Sequence, residues 1–180
     1  GSTLPWLLVS GNDIDIIGNY VCNAYTGINT QTCQKVNIIN NYISNCNVGI
    51  LTSGDVIGHN ILNNMILNFV AYGIFTQSMN SQYINVTGNY VALDDTIQTP
   101  SGTPIAIAGE RNVVTSNITP GKQITTMGSR VLIDNNRIKE AILTQSIMEG
   151  PTGRLARYKV DQSYFATREA AQAIADFTGG

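Results

Sequence analysis

The stretch VNIINNYISNCNVGILT, residues 36–52, decides the fold, because variants of it recur along the chain from residue 14 to residue 147. Each copy carries one asparagine at the same place, a branched apolar residue three positions before it, and an Ile-x-Thr step further on. The asparagines are Asn19, Asn41, Asn64, Asn89, Asn117 and Asn136. The Ile-x-Thr steps begin at Ile28, Ile50, Ile74, Ile97, Ile124 and Ile142. Self-similarity at a spacing of 19 to 28 residues predicts a solenoid.

Within each copy the apolar residues recur at a spacing of two, which is typical of a β-strand whose alternate side chains point inward. Leucine-rich repeats have a similar period, but they need leucines where this chain has isoleucine and valine. The sequence therefore predicts an all-β fold over residues 1–148, a right-handed parallel β-helix solenoid of about six coils. We expect the asparagines to stack in one corner ladder, where they also tolerate a left-handed backbone. Residues 3–13 are expected to supply a strand of an incomplete first coil, with Trp6 packed on the open end.

The fourth copy departs from the pattern. The first three copies have glycine just before the Ile-x-Thr step, at Gly27, Gly49 and Gly73. In the fourth copy Thr96 takes that place, and Asp94 and Asp95 precede it. The segment QTPSGTPIAIAGER, residues 98–111, contains two prolines and two glycines, so we expect it to be an inserted, projecting loop with a short strand at 105–107.

Residues 149–180 form a second region, a short C-terminal extension. It opens with the turn residues Gly150 and Pro151, and a short alanine-rich helix is predicted at 167–177. Such a helix is marginal in isolation and must pack on something, so we expect the extension to serve oligomerisation. An outward column of Asn29, Leu51, Phe75, Gln98, Thr125 and Leu143 adds a predicted apolar patch at Leu51 and Phe75, of the kind that marks an interface.

The composition limits the function. The net charge is -2 and only 12% of residues are charged, so no nucleic-acid partner is expected. No signal peptide is visible, and no apolar run is long enough for a membrane-spanning helix, so no membrane insertion is predicted. Cys22, Cys33 and Cys46 lack the spacing of metal ligands, and we expect free, buried or half-buried thiols in a protein folded in a reducing cytosol. No metal site and no cofactor is predicted.

Asp94 and Asp95 are the first candidates for catalysis, because glycoside hydrolysis uses a pair of carboxylates. In the predicted register Asp95 stacks between Tyr72 and Lys122, with Glu140 one coil further, and such a strip would suit a sugar ring. Most Asp-Asp pairs, however, are simply turn residues.

The candidate glycan-binding residues are Tyr72, Phe75, Lys122 and Arg111. Arg111 belongs with Arg154, Arg157 and Lys159 to a set of cations that would clamp an acidic polysaccharide, or else form a solvated edge. His59, the single histidine, is a tempting acid or base. Its column nevertheless points inward, so we expect a core histidine with its hydrogen bonds satisfied.

With these coils and this extension, the chain resembles the C-terminal part of a bacteriophage tailspike or tail-fibre protein, with a pectate-lyase-like right-handed parallel β-helix. The resemblance implies a homotrimer in the virion tail, made in the bacterial cytoplasm, that recognises the capsule or lipopolysaccharide of a host cell. It also implies that the chain depolymerises this glycan as a hydrolase or lyase, with Asp94, Asp95 and Glu140 where acids are expected. A fragment that binds and trimerises without the catalytic centre is an equal expectation.

Two other classes stay open. The string Asp94-Asp95-Thr96-Ile97 looks like the paired aspartates of polygalacturonase-type enzymes, so a stand-alone pectate-lyase-like or polygalacturonase-like enzyme is one alternative. The small number of coils and the lack of a calcium-binding acid cluster disfavour it. A structural spacer or adhesin, which would not degrade a glycan, is the other.

Overall fold

The structure, a computed structural model, describes residues 5–93, 102–120 and 122–138. Within these ranges every regular element is a β-strand, which confirms the predicted all-β fold. In chain order the strands are β1 (Pro5–Val9), β2 (Asn12–Ile17), β3 (Tyr20–Cys22), β4 (Thr26–Gln31), β5 (Gln34–Ile39), β6 (Tyr42–Ser44), β7 (Val48–Ser53), β8 (Asn60–Leu62), β9 (Met65–Leu67), β10 (Tyr72–Thr76), β11 (Asn85–Thr87), β12 (Tyr90–Ala92), β13 (Thr103–Ile107), β14 (Val113–Thr115), β15 (Ile118–Thr119), β16 (Ile124–Thr126), β17 (Leu132–Asp134) and β18 (Arg137–Ile138).

Strands that are three apart in chain order lie side by side, and together the strands form three parallel six-stranded sheets. Sheet A contains β1, β4, β7, β10, β13 and β16; sheet B contains β2, β5, β8, β11, β14 and β17; sheet C contains β3, β6, β9, β12, β15 and β18. The chain therefore passes from sheet B to C to A in each coil and then starts the next coil. This is the predicted parallel β-helix. The last predicted Ile-x-Thr step, at Ile142, and the extension at 149–180 lie outside the described residues.

Strand β1 pairs in parallel with β4, as predicted for a strand of an incomplete first coil. The expectation for Trp6 is wrong, because its side chain is 61% exposed rather than packed on the open end. Leu7 and Val9, on the other side of the strand, pack against the core instead. The alternation of side chains along a strand explains the difference, since Trp6 lies between the inward positions.

The core is a stack of branched apolar side chains in register. In sheet A one fully buried column joins Ile28, Ile50, Ile74 and Ile105. In sheet B another joins Ile16, Ile38, Ile61, Val86 and Val114. Burying one such side chain contributes about 1.5–3 kcal/mol, so each column fixes the register of its sheet.

The predicted asparagine ladder is present at the corner between sheets B and C. The side-chain Nδ2 of Asn19, Asn41, Asn64, Asn89 and Asn117 donates to the Oδ1 of the next asparagine in the ladder, at 2.9–3.0 Å. The same Oδ1 also accepts the backbone N–H of the preceding asparagine. From Asn41 onward another Nδ2 bond goes to a strand carbonyl of the preceding coil; for Asn64 this is the carbonyl of Ile38, at 2.8 Å. Buried amides are thus satisfied on every side.

The left-handed backbone lies beside the ladder and not in it, which corrects the expectation above. The residue before each ladder asparagine has a positive φ, from 52° to 69°: Gly18, Asn40, Asn63, Gly88, Ser116 and Asn135. A second column with positive φ, from 53° to 70°, lies at the corner between sheets A and B: Asp13, Lys35, Gly58, Tyr83, Arg111 and Arg130. We call this second set the AB corner column. Single left-handed residues turn the coil at both corners, and they are costly for most side chains.

The glycines before the Ile-x-Thr steps are required by a close approach of neighbouring coils. A Cβ on Gly49 would lie 2.6 Å from the carbonyl oxygen of Gly73 and 2.6 Å from the Ile66 side chain. Gly27 and Gly73 are confined in the same way. Any side chain at these positions would push two coils apart.

The fourth coil differs from the expected register. Strand β13 continues sheet A at the place predicted for Ile97 and Thr99: Ile105 pairs with Ile74, and Ile107 pairs with Thr76. The carbonyl of Pro104 lies over Gly73, at the place predicted for Thr96. The apolar segment TPIAI fills the core better than the polar segment with the same spacing, and a longer connection before it costs little. The strand predicted at 105–107 is therefore present as part of β13, but it lies within sheet A and not in a projecting loop.

We expect Asn64→Ala to lower the free energy of unfolding by about 3 kcal/mol or more, because it leaves the buried N–H of Asn41 and the Ile38 carbonyl unpaired. The matched control is Asn60→Ala in the same coil. Asn60 lies on the outer face of sheet B and donates one side-chain hydrogen bond, to Asn37. Urea unfolding of both variants provides the measurement, and equal losses would show that the ladder is not special.

Candidate functional site

Two of the predicted glycan-binding residues form one aromatic pair on the outer face of sheet A. The rings of Tyr72 and Phe75 stack with centroids 4.2 Å apart and planes inclined by 16°. Residues three apart would point to opposite sides of a regular strand. Gly73 lies between them, in the column where no side chain fits, and the departure from regular alternation at this place brings both rings to one face.

The aromatic pair continues into an apolar patch. Phe75 lies in register with Leu51, and Tyr72 with Val48, so the predicted neighbours Leu51 and Phe75 are side by side. On the other side of Phe75 the partner is Ala106 rather than the expected Gln98, and Ala106 is only 1% exposed. We call Leu51, Tyr72 and Phe75 the sheet A patch; Val48 is buried, with 7% exposure, and is not part of it.

Lys122 lies along the same side of the solenoid, just before β16. Its backbone N–H donates to the Thr119 carbonyl, and its carbonyl accepts the Thr119 hydroxyl at 3.1 Å. Continuing the register of β13 and β16 backward brings Lys122 beside Thr103, which in turn pairs with Tyr72. Tyr72 and Phe75 therefore share one face, and the backbone of Lys122 lies two residues before β16 of the same sheet.

Thr103 occupies the position beside Tyr72 that was predicted for Asp95. Asp94, Asp95 and Glu140 themselves lie outside the described residues. Within 5–93, 102–120 and 122–138 no group of three or more His, Cys, Asp or Glu side chains is arranged to hold a metal ion. The same part of the chain contains no helix long and apolar enough to cross a membrane.

Arg111 lies apart from the other three, in the AB corner column. Its guanidinium lies 5.6 Å from the centre of the Tyr83 ring and donates a hydrogen bond from Nη1 to the Tyr83 hydroxyl. Both side chains are exposed. Sequence reasoning missed Tyr83, although it stands one position before the inward column that contains Ile84, at the same corner position as Arg111.

A second surface that sequence reasoning missed runs along sheet C. The residue after each ladder asparagine points outward, giving a register-matched row of Tyr20, Tyr42, Met65, Tyr90 and Ile118. The rings of Tyr20 and Tyr42 stack almost parallel, 4.9 Å apart, which is the spacing of the coils. We call this row the sheet C ridge. Its signal in the sequence is the tyrosine, methionine or isoleucine that follows the first five ladder asparagines, whereas Arg137 follows the sixth.

His59 is fully buried, as predicted, but its hydrogen bonds are not satisfied. Neither ring nitrogen has a hydrogen-bond partner within the described residues. Burial lowers the pKa of His59, and the backbone carbonyl of Ile57 opposes this effect only in part, without reaching hydrogen-bond geometry. The side chain occupies the inward column between Val36 and Ile84, so it is an uncharged core residue at neutral pH and not an exposed catalytic base.

The three cysteines are free thiols, as expected, with Cys22 half-buried and Cys33 and Cys46 buried. Burial raises the pKa of Cys46, and the neighbouring Cys22 adds to this, against a backbone hydrogen bond from Ala24. A buried thiol with a raised pKa is a poor nucleophile.

Comparison of the chain with protein-family models, curated proteins and solved structures finds no match.

We expect the stability to fall as the pH drops below about 6.5, the ordinary pKa of histidine. The folded-state pKa of His59 is lowered, so the unfolded chain binds a proton that the folded chain resists, and the contribution is fully present only above that pH. His59→Ile removes this contribution. Chemical unfolding at several pH values between 7.5 and 5 gives the free energy of unfolding as a function of pH. The slope of this curve should be smaller in the variant than in the wild type by up to about 1.4 kcal/mol per pH unit. Identical slopes for the two proteins would contradict this account of His59.

Proposed function

We propose that this chain is the polysaccharide-recognising part of a bacteriophage tailspike or tail fibre, and that it binds the capsule or lipopolysaccharide of a bacterial host cell across the outer face of sheet A. The observation that carries the proposal is the stacked pair of Tyr72 and Phe75 on a rigid sheet. Aromatic side chains offer a large apolar surface at a small entropic cost, and a tyrosine adds a polar hydroxyl. Lys122 beyond the pair supplies a donor for sugar oxygens.

The surroundings of the pair also suit a sugar. Asn29, Gln31 and Ser53 stand on the outer side of neighbouring sheet A strands and offer uncharged donors and acceptors, and the Ser53 hydroxyl is held by the Asn29 side chain at 3.0 Å. The hydrogen-bonded coils hold these groups in fixed positions before any ligand arrives, which reduces the entropic cost of binding.

Depolymerisation of the bound glycan is the second part of the proposal. It assigns the chemistry to Asp94, Asp95 and Glu140, as general acid and as base or nucleophile. Asp94 and Asp95 follow β12 closely and precede β13, a strand of the same sheet A that carries Tyr72 and Phe75. A tailspike fragment that binds without cleaving remains the alternative within the same class.

We further propose a homotrimer, located in the virion tail and made in the bacterial cytoplasm. The sheet C ridge supports self-association, because Tyr20 is 66% and Met65 is 44% exposed and a continuous apolar row is rare on the surface of a monomer. Residues 149–180 would add to the contact. The free thiols of Cys22, Cys33 and Cys46 suit a reducing compartment.

We expect the double variant Tyr72→Ala, Phe75→Ala to bind host polysaccharide at least about tenfold more weakly, because the stacking surface is lost. Surface plasmon resonance against a panel of capsule and lipopolysaccharide preparations gives the measurement, with the tightest-binding preparation used for the variants. The matched control is Ile17→Ala, Leu132→Ala, which removes two exposed apolar side chains from sheet B, away from both sheet A and the sheet C ridge. The proposal fails if no preparation binds, or if the control loses affinity and the sheet A variant does not.

We expect the intact chain to be a trimer by light scattering. The double variant Met65→Ser, Tyr90→Ser should dissociate at a higher protein concentration than the wild type, because the ridge loses apolar contact area. A chain ending at Gly150 should also dissociate more easily. Tyr25→Ser is the control, since Tyr25 is 49% exposed but lies outside the ridge. A monomeric intact chain would overturn the assembly proposed here, and so would a trimer indifferent to both changes.

A further inference from the structure

Three exposed side chains of the AB corner column occupy successive coils: Tyr83, Arg111 and Arg130. We call them the corner strip. Neighbouring coils lie about 4.8 Å apart, so the two guanidinium groups start from adjacent backbone positions. The corner backbone is held by hydrogen bonds between coils, from Tyr83 N–H to the Glu110 carbonyl and from Arg111 N–H to the Ser129 carbonyl.

The two arginines are not neutralised within the described residues. Glu110 and Asp134 are the acids closest to them in the sequence, and neither forms an ion pair with Arg111 or Arg130 in that part of the chain. The same column behaves differently three coils before Arg111, where Lys35 forms an ion pair with Asp13 at 3.7 Å. The first coils thus neutralise the cation at this corner, whereas the later coils leave two cations side by side.

The number of charged residues also differs between the first and the later coils. Residues 5–93 carry one basic residue, Lys35, against three acidic ones. Residues 102–138, in contrast, carry four basic residues, Arg111, Lys122, Arg130 and Arg137, against the two acids Glu110 and Asp134. The described residues between 102 and 138 therefore carry a net charge of +2, four bases against two acids, while Asp94 and Asp95 lie outside the described residues. Adjacent like charges become less costly when an anion lies between them.

The chemistry of the strip selects the ligand. A guanidinium presents several N–H donors in a planar fork, which matches the oxygens of a carboxylate or a phosphate. The bond from Arg111 to the Tyr83 hydroxyl uses one donor and fixes the fork over the ring, so that the other donors stay available. The Tyr83 ring, 51% exposed, adds an apolar surface beside the cations.

We propose that the corner strip of Tyr83, Arg111 and Arg130 is a subsite for the oxyanion, carboxylate or phosphate, of an acidic sugar. This inference rests on the proposed function and deepens it, because the AB corner borders the outer face of sheet A. The glycan recognised there is accordingly an acidic polysaccharide, with its charged group at the corner and a neighbouring sugar toward Tyr72 and Phe75.

The test compares trigalacturonate with the neutral α-1,4-galactotriose of the same linkage, and adds galactose 6-phosphate as the phosphate arm. NMR titration of the full chain measures weak affinities and shows in the same spectra that each variant is folded. The variants are Arg111→Gln with Arg130→Gln, and the matched control is Lys35→Gln, which removes a positive charge from the same column.

The wild type should bind trigalacturonate or the sugar phosphate at least about tenfold more tightly than galactotriose, with shifts at Tyr83 and Arg111 that weaken as salt increases. The double arginine variant should lose this preference, and Lys35→Gln should keep it. Equal affinity of the wild type for acidic and neutral ligands overturns the subsite. An equal loss in the Lys35 control overturns it too, since the effect would then be unspecific attraction.

The outcomes also separate this inference from the proposed function. If Tyr72→Ala, Phe75→Ala leaves all binding unchanged while the arginine variant loses the acidic ligands, the subsite stands and the sheet A proposal fails. If the aromatic variant weakens every trisaccharide and the arginine variant changes nothing, the sheet A proposal stands and the subsite fails.

Discussion

The side-chain hydrogen bonds of the asparagine ladder are the interaction on which the structure depends. In the middle of the ladder the Asn64 oxygen accepts two bonds from Asn41, and its Nδ2 donates one to Ile38 and one to Asn89. An amide side chain can accept hydrogen bonds from one neighbour in the stack and donate two others. An ionised carboxylate can only accept hydrogen bonds, and a hydroxyl has a single proton to donate. Each bond adds only about 1 kcal/mol, but a missing partner in this buried place costs more, so the ladder holds all coils in one register.

The register of the ladder determines which side chains point outward at the corners of the solenoid. A shift by one residue would move every isoleucine of the core to the surface, so apolar columns and ladder support the same alignment. With the register fixed, single left-handed residues turn each coil, and their backbone N–H groups bond to the next coil, as from Asn40 to Leu62 and from Asn63 to Thr87. These bonds offset the strain of the left-handed backbone. The same geometry directs Tyr83 and Arg111 outward from a rigid corner, whereas a flexible loop would let them move.

Much of this architecture was predictable because strand alternation and the ladder leave a periodic signal in the sequence. The ladder, the strand at β1 and the buried His59 were found in that way. The fourth coil was not, because Ile97 and Ile105 both satisfy the spacing and only the packing of TPIAI decides between them. The orphaned nitrogens of His59 depend on neighbours across the core, which no column reveals. For the site, the common face of Tyr72 and Phe75 depends on a local irregularity at Gly73, and periodicity alone would have separated the two rings.

The most direct test of the account is hydrogen exchange of the asparagine side-chain amides, followed by NMR. The ladder predicts slow exchange for the Nδ2 protons of Asn41, Asn64, Asn89 and Asn117, which are buried and bonded on both sides. Exposed Asn40 and Asn63, one residue away in the same coils, should exchange rapidly. Equal and rapid exchange at both sets of positions would contradict the stacked register, and with it every surface that the register positions.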